Sequence, residues 1–145
     1  MAGDPTLVAV RPPFFDNPTT RGLFDARTRA YWSVDSFGAN VPHAAEDAAD
    51  LDRAVWREGV LLVNRLKHPW HLWLDQSKFH AHLDRVQKLS IEVIPSCHGP
   101  AIHGSMVDQT FELLRRVPDV PTWIEPGQDF LGAVIATAAA EPAPV

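Results

Sequence analysis

Ala30-Tyr31-Trp32-Ser33-Val34-Asp35-Ser36-Phe37-Gly38-Ala39 and Ile91-Glu92-Val93-Ile94-Pro95-Ser96-Cys97-His98-Gly99-Pro100-Ala101-Ile102 are the two stretches that decide the fold. Each is an apolar run that reaches an acid or an imidazole and then breaks at Gly or Pro. The pattern reads as a strand that ends at the rim of a sheet, where α/β proteins carry their sites. Asp35 and His98 are therefore the first candidate site residues, both able to bind a metal. An acid at the end of an apolar strand is costly to bury alone, so Asp35 should cap a helix, pair or bind a metal.

Working outward, Leu7 to Arg11 reads as a short strand stopped by Pro12-Pro13. A loop follows from Phe14 to Thr20. Arg21 to Asp25 and Arg29 to Val34 form a hairpin around Ala26-Arg27-Thr28, with Tyr31, Ser33 and Asp35 on one face and Trp32 and Val34 on the other. After a loop from Phe37 to His43, Glu46 to Leu66 shows helical spacing through Leu51, Val55, Leu62 and Leu66. Gly59 weakens that helix and allows a kink or break. His68-Pro69-Trp70-His71 interrupts. Leu74 to Leu89 is a second helix, with Asp75 as N-cap and Phe79, Leu83, Val86 and Leu89 as its buried stripe. Ile91 to Pro95 is a strand too short and apolar to face water, so it should be central. Gly104 to Arg116 and Pro126 to Ala139 are further helices, and residues 140–145 a frayed tail.

The composition narrows the function. A chain of 145 residues, 46% hydrophobic and 21% charged, suits one soluble domain spanning 1–145. With 13 basic residues, no basic cluster and a net charge of −5, a nucleic-acid surface is not expected. The longest apolar stretch, Leu131 to Ala140, is about half a membrane span. The first five residues carry neither a basic nor an apolar region, so no signal peptide is expected. A single cysteine, Cys97, allows no internal disulfide, and a cytoplasmic location is the expectation.

These segments resemble the C-terminal half of the metallo-β-lactamase fold, and within it the flavodiiron and oxygen-binding di-iron proteins. The resemblance rests on the Asp-Ser-Phe-Gly of "SVDSFGA" and the His-Gly-Pro of "PSCHGPAI". It runs from about Leu7 to Ala133. It implies an α/β fold, half of an αββα sandwich, with a mixed sheet of about four strands and three or four helices. It implies that Asp35 occupies the position of the metal-bridging carboxylate and His98 that of the last histidine ligand. Asp16 falls where the family has another histidine; a carboxylate can replace it but differs in charge and reach. The implied cofactor is two iron ions, or zinc. With iron, relatives reduce O₂ or NO or sense O₂; with zinc, they hydrolyse esters, thioesters or lactams through a metal-activated hydroxide.

The departure is as informative. The family's first ligands form a His-x-His/Glu-x-Asp-His cluster, and none occurs here. The expectation is either a truncated product or a half that needs a partner, an N-terminal half or a second copy of the chain, since one half alone leaves a sheet face in water. Two function classes follow: a dinuclear metal protein completed in trans, and an inert assembly or interaction module that keeps only the fold.

The other candidates have plainer readings. Asp16-Asn17-Pro18 is also a standard turn. His68 and His71, flanked by Trp70 and Trp73, suggest a metal or aromatic pocket, but an amphipathic loop at a helix junction is preferred. His80 and His82 point apart on a helix, with His80 exposed, and His103 is a surface residue. Cys97 beside His98 is discounted as a nucleophile because adjacent side chains diverge; a free Cys is usually a small buried hydrophobe. Tyr31, Trp32 and Phe37 could line a pocket, but core packing is commoner.

Overall fold

The computed structural model describes residues 7 to 140, so the tail expected to fray beyond Ala140 lies outside the described residues. Five strands form one mixed sheet in the order β1-β2-β3-β4-β5: β1 Leu7–Val10, β2 Gly22–Asp25, β3 Ala30–Trp32, β4 Val93–Ile94 and β5 Ile102–His103. Neighbours run antiparallel except β3 and β4, which are parallel and joined by the crossover that carries α1 Arg53–Lys67 and α2 Gln76–Gln87. Helices α3 Ser105–Arg116 and α4 Gln128–Ala140 follow the sheet. The α/β class is as expected, and the sheet has five strands where about four were expected. The fifth, β5, is two residues of the segment after His98 and escapes a periodicity reading. β4 is interior, as its apolar composition requires, though only two residues long.

The β2–β3 hairpin turns where the sequence places it. Asp25 holds the turn, its carboxylate accepting from the Arg27 N–H at 2.9 Å and from the Thr28 hydroxyl at 2.7 Å. Pairing puts Val8, Phe24 and Tyr31 on one face, with Ile94 and Ile102 continuing it. Except at its β1 edge, where Val8 is exposed, that face meets the helices. Tyr31, Phe37, Leu83, Ile94, Ile102, Phe111 and Leu114 are wholly buried there. The Phe37 and Phe111 rings meet edge to face at 4.9 Å.

The first helix differs from its sequence reading in start and in face. Two acids divide the segment expected to run from Glu46. Asp47 caps a single 3₁₀ turn, Ala48–Asp50, and Asp52 then accepts from the N–H groups of Ala54 and Val55 to start α1. The buried stripe is Trp56, Gly59, Val60 and Asn64, one position round from the leucine and valine stripe; Leu66 is exposed. Two buried N–H donors in that stripe find acceptors, while the Asn64 Oδ1 is buried without a partner. The Trp56 indole N–H donates to the Thr110 hydroxyl of α3 at 3.2 Å, and the Asn64 amide donates to the Val60 carbonyl at 2.9 Å. The helix continues through Gly59 without a break. Glycine is required there by a neighbour, because a Cβ would run into the carbonyl oxygen of Asn40.

α2 matches its reading. Asp75 caps it, accepting from the Lys78 N–H at 3.1 Å, and Phe79, Leu83 and Val86 are buried, with Leu89 partly so. The junction before it does not. His68 and His71 are 1% and 0% exposed, not members of an amphipathic loop. His80 is half-buried against the Arg115 carbonyl rather than exposed, and Cys97 is exposed rather than buried.

Candidate metal centre

Asp35 lies just beyond β3, on a turn with two unusual supports. Val34 has φ 57°, a conformation that a β-branched residue adopts only when its surroundings enforce it. On the other side, the buried Ser36 is fixed to Phe14: its hydroxyl donates to the Phe14 carbonyl at 2.7 Å and accepts the Phe14 N–H at 3.1 Å. The turn closes through the Gly38 N–H to the Asp35 carbonyl at 3.0 Å.

His98 reaches the same place from the β4–β5 loop. The Ala39 N–H donates to the His98 carbonyl at 2.8 Å, which ties the two loops together. Gly38 makes this approach possible, since a Cβ there would lie 3.2 Å from the Cβ of His98. Asn40, next along, donates its N–H to the Gly59 carbonyl of α1 at 3.1 Å. The sheet rim and the helix are thereby locked at adjacent residues.

Three side chains converge. His98 Nε2 lies 2.8 Å from Asp35 Oδ1. Lys67, the last residue of α1, puts Nζ 3.1 Å from the same oxygen and 2.8 Å from the same nitrogen. Asp35 and Lys67 are about two-thirds or more covered, while the His98 side chain is 46% exposed. A cleft of about 420 Å³ opens beside the ammonium, bounded by Asn40, Leu62, Leu66, Lys67 and His98.

Of the three expected ligands, Asp35 and His98 are brought together and Asp16 is not. Asp16 is exposed, and its carboxylate accepts from the Thr20 hydroxyl at 3.4 Å. Among the described residues, no three His, Cys, Asp or Glu side chains converge closely enough to hold a metal ion. The residues present do not fit a two-metal centre: two donors meet, and an ammonium stands against both. Lys67 has no signal in the sequence, because the contacts that matter lie 31 and 32 residues away.

Directly behind Lys67, His68 caps the end of α1. Its Nδ1 faces the Asn64 carbonyl at 3.2 Å; a carbonyl only accepts, so Nδ1 carries the proton. Its ring stacks on Phe14 at 5.0 Å, and its Nε2 is buried without a partner. Burial holds its pKa down to about 4 against 6.5, so it is neutral. Both ring nitrogens of His71 are likewise buried and unpartnered, and burial, followed by the nearby Arg65, lowers its pKa. Tyr31 and Phe37 are core residues, whereas Trp32 is 43% exposed on the far face of the sheet.

No protein-family model matches the chain, and no curated protein sequence does. Solved structures do. The flavodiiron protein from Giardia intestinalis superposes with a TM-score of 0.60 at 19% identity, over 80% of this chain and 27% of its own. Rubredoxin oxygen:oxidoreductase from the anaerobe Desulfovibrio gigas gives 0.62 at 11% identity, over 79% of this chain and 28% of its own. The apo chemotaxis sensor ODP from T. denticola gives 0.59 at 16% identity, over 92% of this chain and 50% of its own. The chain is thus similar in fold to part of the flavodiiron proteins, and it spans between a quarter and a half of the length of these neighbours.

Proposed function

We propose that this chain is an assembly module built on a di-iron-type metallo-β-lactamase-like scaffold. Its sheet receives a second β-layer on the face away from the helices, and its rim carries the Asp35–His98–Lys67 cluster in place of a metal centre. The observation that carries this reading is the composition of that face. Leu23 and Trp32 are paired across β2 and β3, with Ala9 beside Leu23 and Leu7 further along β1. Leu7, Leu23 and Trp32 are 57%, 38% and 43% exposed. Contiguous apolar side chains on one open sheet face are what sheet-on-sheet packing covers. The occupant we favour is the complementary half of the same sandwich, on this polypeptide or another; a second copy of the chain is the other outcome. Among the described residues no helix is long and apolar enough to cross a membrane, and a reducing cytoplasm suits the lone, exposed Cys97.

Mass measurement in solution with hydrophobic-dye binding tests the reading. The 145-residue chain should either self-associate or bind the dye, and Trp32→Glu should reverse both. A 16.1 kDa monomer that binds no dye rules the reading out.

A second reading has one specific observation in its favour. Asp35 and His98 come from loops far apart in sequence and meet at 2.8 Å, as two ligands of one centre would. In that case further ligands arrive from the complementary half, and the centre is dinuclear, with iron or zinc. Reconstitution with that half should then give one or two metal ions per complex, lost on Asp35→Ala or His98→Ala.

A further inference from the structure

We propose that Lys67 is a tethered cation that takes the place of a metal ion at the sheet rim and excludes divalent metals from Asp35 and His98.

The argument begins with protons. Three polar atoms form a triangle with sides of 2.8, 2.8 and 3.1 Å: Asp35 Oδ1, His98 Nε2 and Lys67 Nζ. A carboxylate oxygen only accepts. The imidazole Nε2 has one direction in the ring plane, holding either a proton or a lone pair. If it held a proton donated to Asp35, the ammonium of Lys67 would approach an N–H at hydrogen-bond distance, donor against donor. If it holds a lone pair, the ammonium donates one proton to it and another to Asp35, and both Lys67 contacts are satisfied. The cost appears on the third side. Oδ1 and Nε2 are then two acceptors 2.8 Å apart with no proton between them. Two lone-pair atoms approach that closely when a cation draws both together, as ligands do around a metal. Here the cation is the lysine.

The backbone shows that the triangle is built rather than a chance meeting of long side chains. Asp35 is held by the turn through Val34 and Ser36, and His98 by the Ala39 N–H to its carbonyl. Lys67 stands at the end of a helix fixed to the same loop at Gly59 and Asn40. Its positive charge also suits the C-terminal end of α1. A single charge on a tether neutralises one carboxylate, whereas two divalent ions need more donors than the described rim supplies. This proposal deepens the reading of a rim without metal, and it is judged by metal titration. The assembly reading is judged by mass, so either can fail without the other.

The test is titration of the full chain with Co(II), followed by visible absorption, and with Zn(II), followed by calorimetry. Lys67→Met should bind at least about tenfold more tightly than the parent, and the gain should vanish in Lys67→Met/His98→Ala. Lys67→Gln serves as a second neutral variant should the methionine variant not fold. Melting of the parent should be the same with and without a chelator. Equal affinity in the parent and the neutral variants, including no binding by any of them, overturns the proposal. So does a parent protein whose melting temperature falls on chelation.

Discussion

The two faces of the sheet carry similar apolar side chains and meet different surroundings. On the inner face, Phe24, Tyr31, Ile94 and Ile102 lie under helices and are at most 6% exposed. On the outer face, Leu7, Leu23 and Trp32 look outward and keep more than a third of their surface accessible. Strand alternation separates the two sets, and nothing in the identity of the residues does. The comparison teaches that a leucine or tryptophan in a strand does not by itself say which face of the sheet is covered. The covering layer for one face is in this chain; for the other, the proposed function supplies one.

The comparison can be broken or sharpened by measurement. The largest effect is expected on the inner side, where Phe111, wholly buried on α3, meets Phe37. Phe111→Ala should cost about 3–5 kcal/mol in urea denaturation; a much smaller loss would mean that the core is loosely packed.

Acid should come next. His68 is neutral and buried with a pKa of about 4, and the unfolded chain takes up its proton near 6.5. A depressed histidine pKa stabilises the fold above the unfolded value, and that stability is lost as pH falls towards the folded one. Between pH 7 and pH 5 the loss from His68 is about 2 kcal/mol. His71 and His82 shift in the same direction, both through burial first. A urea midpoint that stays flat across that window would show that the helix side admits water at His68.

Gly59 tests the helix that covers the inner face. In an exposed helix interior, Gly→Ala stabilises by about 1 kcal/mol. Here the Cβ meets the Asn40 carbonyl, so Gly59→Ala should destabilise by about 1–3 kcal/mol and loosen the loop that carries Asp35. Thermal melting gives the sign directly.

The smallest effect is expected on the outer face. Trp32→Ala in the monomeric chain should change stability by less than about 1 kcal/mol, because much of that side chain is already in water. A loss comparable to that of Phe111→Ala would mean that the outer face is covered in solution, and would turn the contrast between the faces into evidence of assembly.

Much of the frame was legible. The β2–β3 hairpin, α2 with its Asp75 cap and the interior position of β4 follow from turn chemistry, spacing and apolar runs, which are local. The start of α1 is not legible because Glu46, Asp47, Asp50 and Asp52 supply several acids of similar promise, and only Asp52 meets the free N–H groups of a continuing helix. Its buried stripe is not legible because the Trp56 indole N–H and the Asn64 amide N–H find acceptors across or along the helix, which hydrophobic spacing does not count. His68 reads as a loop residue because nothing local shows that Phe14, 54 residues before it, stacks on its ring at 5.0 Å.

At the rim, the sequence by itself determined that Asp35 and His98 end their apolar runs at turns, because Gly and Pro act on their own backbone neighbours. Only the tertiary structure decided that the two side chains meet, that Asp16 stays apart, and that Lys67 stands against both. Those outcomes depend on where α1 ends relative to the sheet. That relation is set by packing between residues more than thirty positions apart, and no local pattern records it.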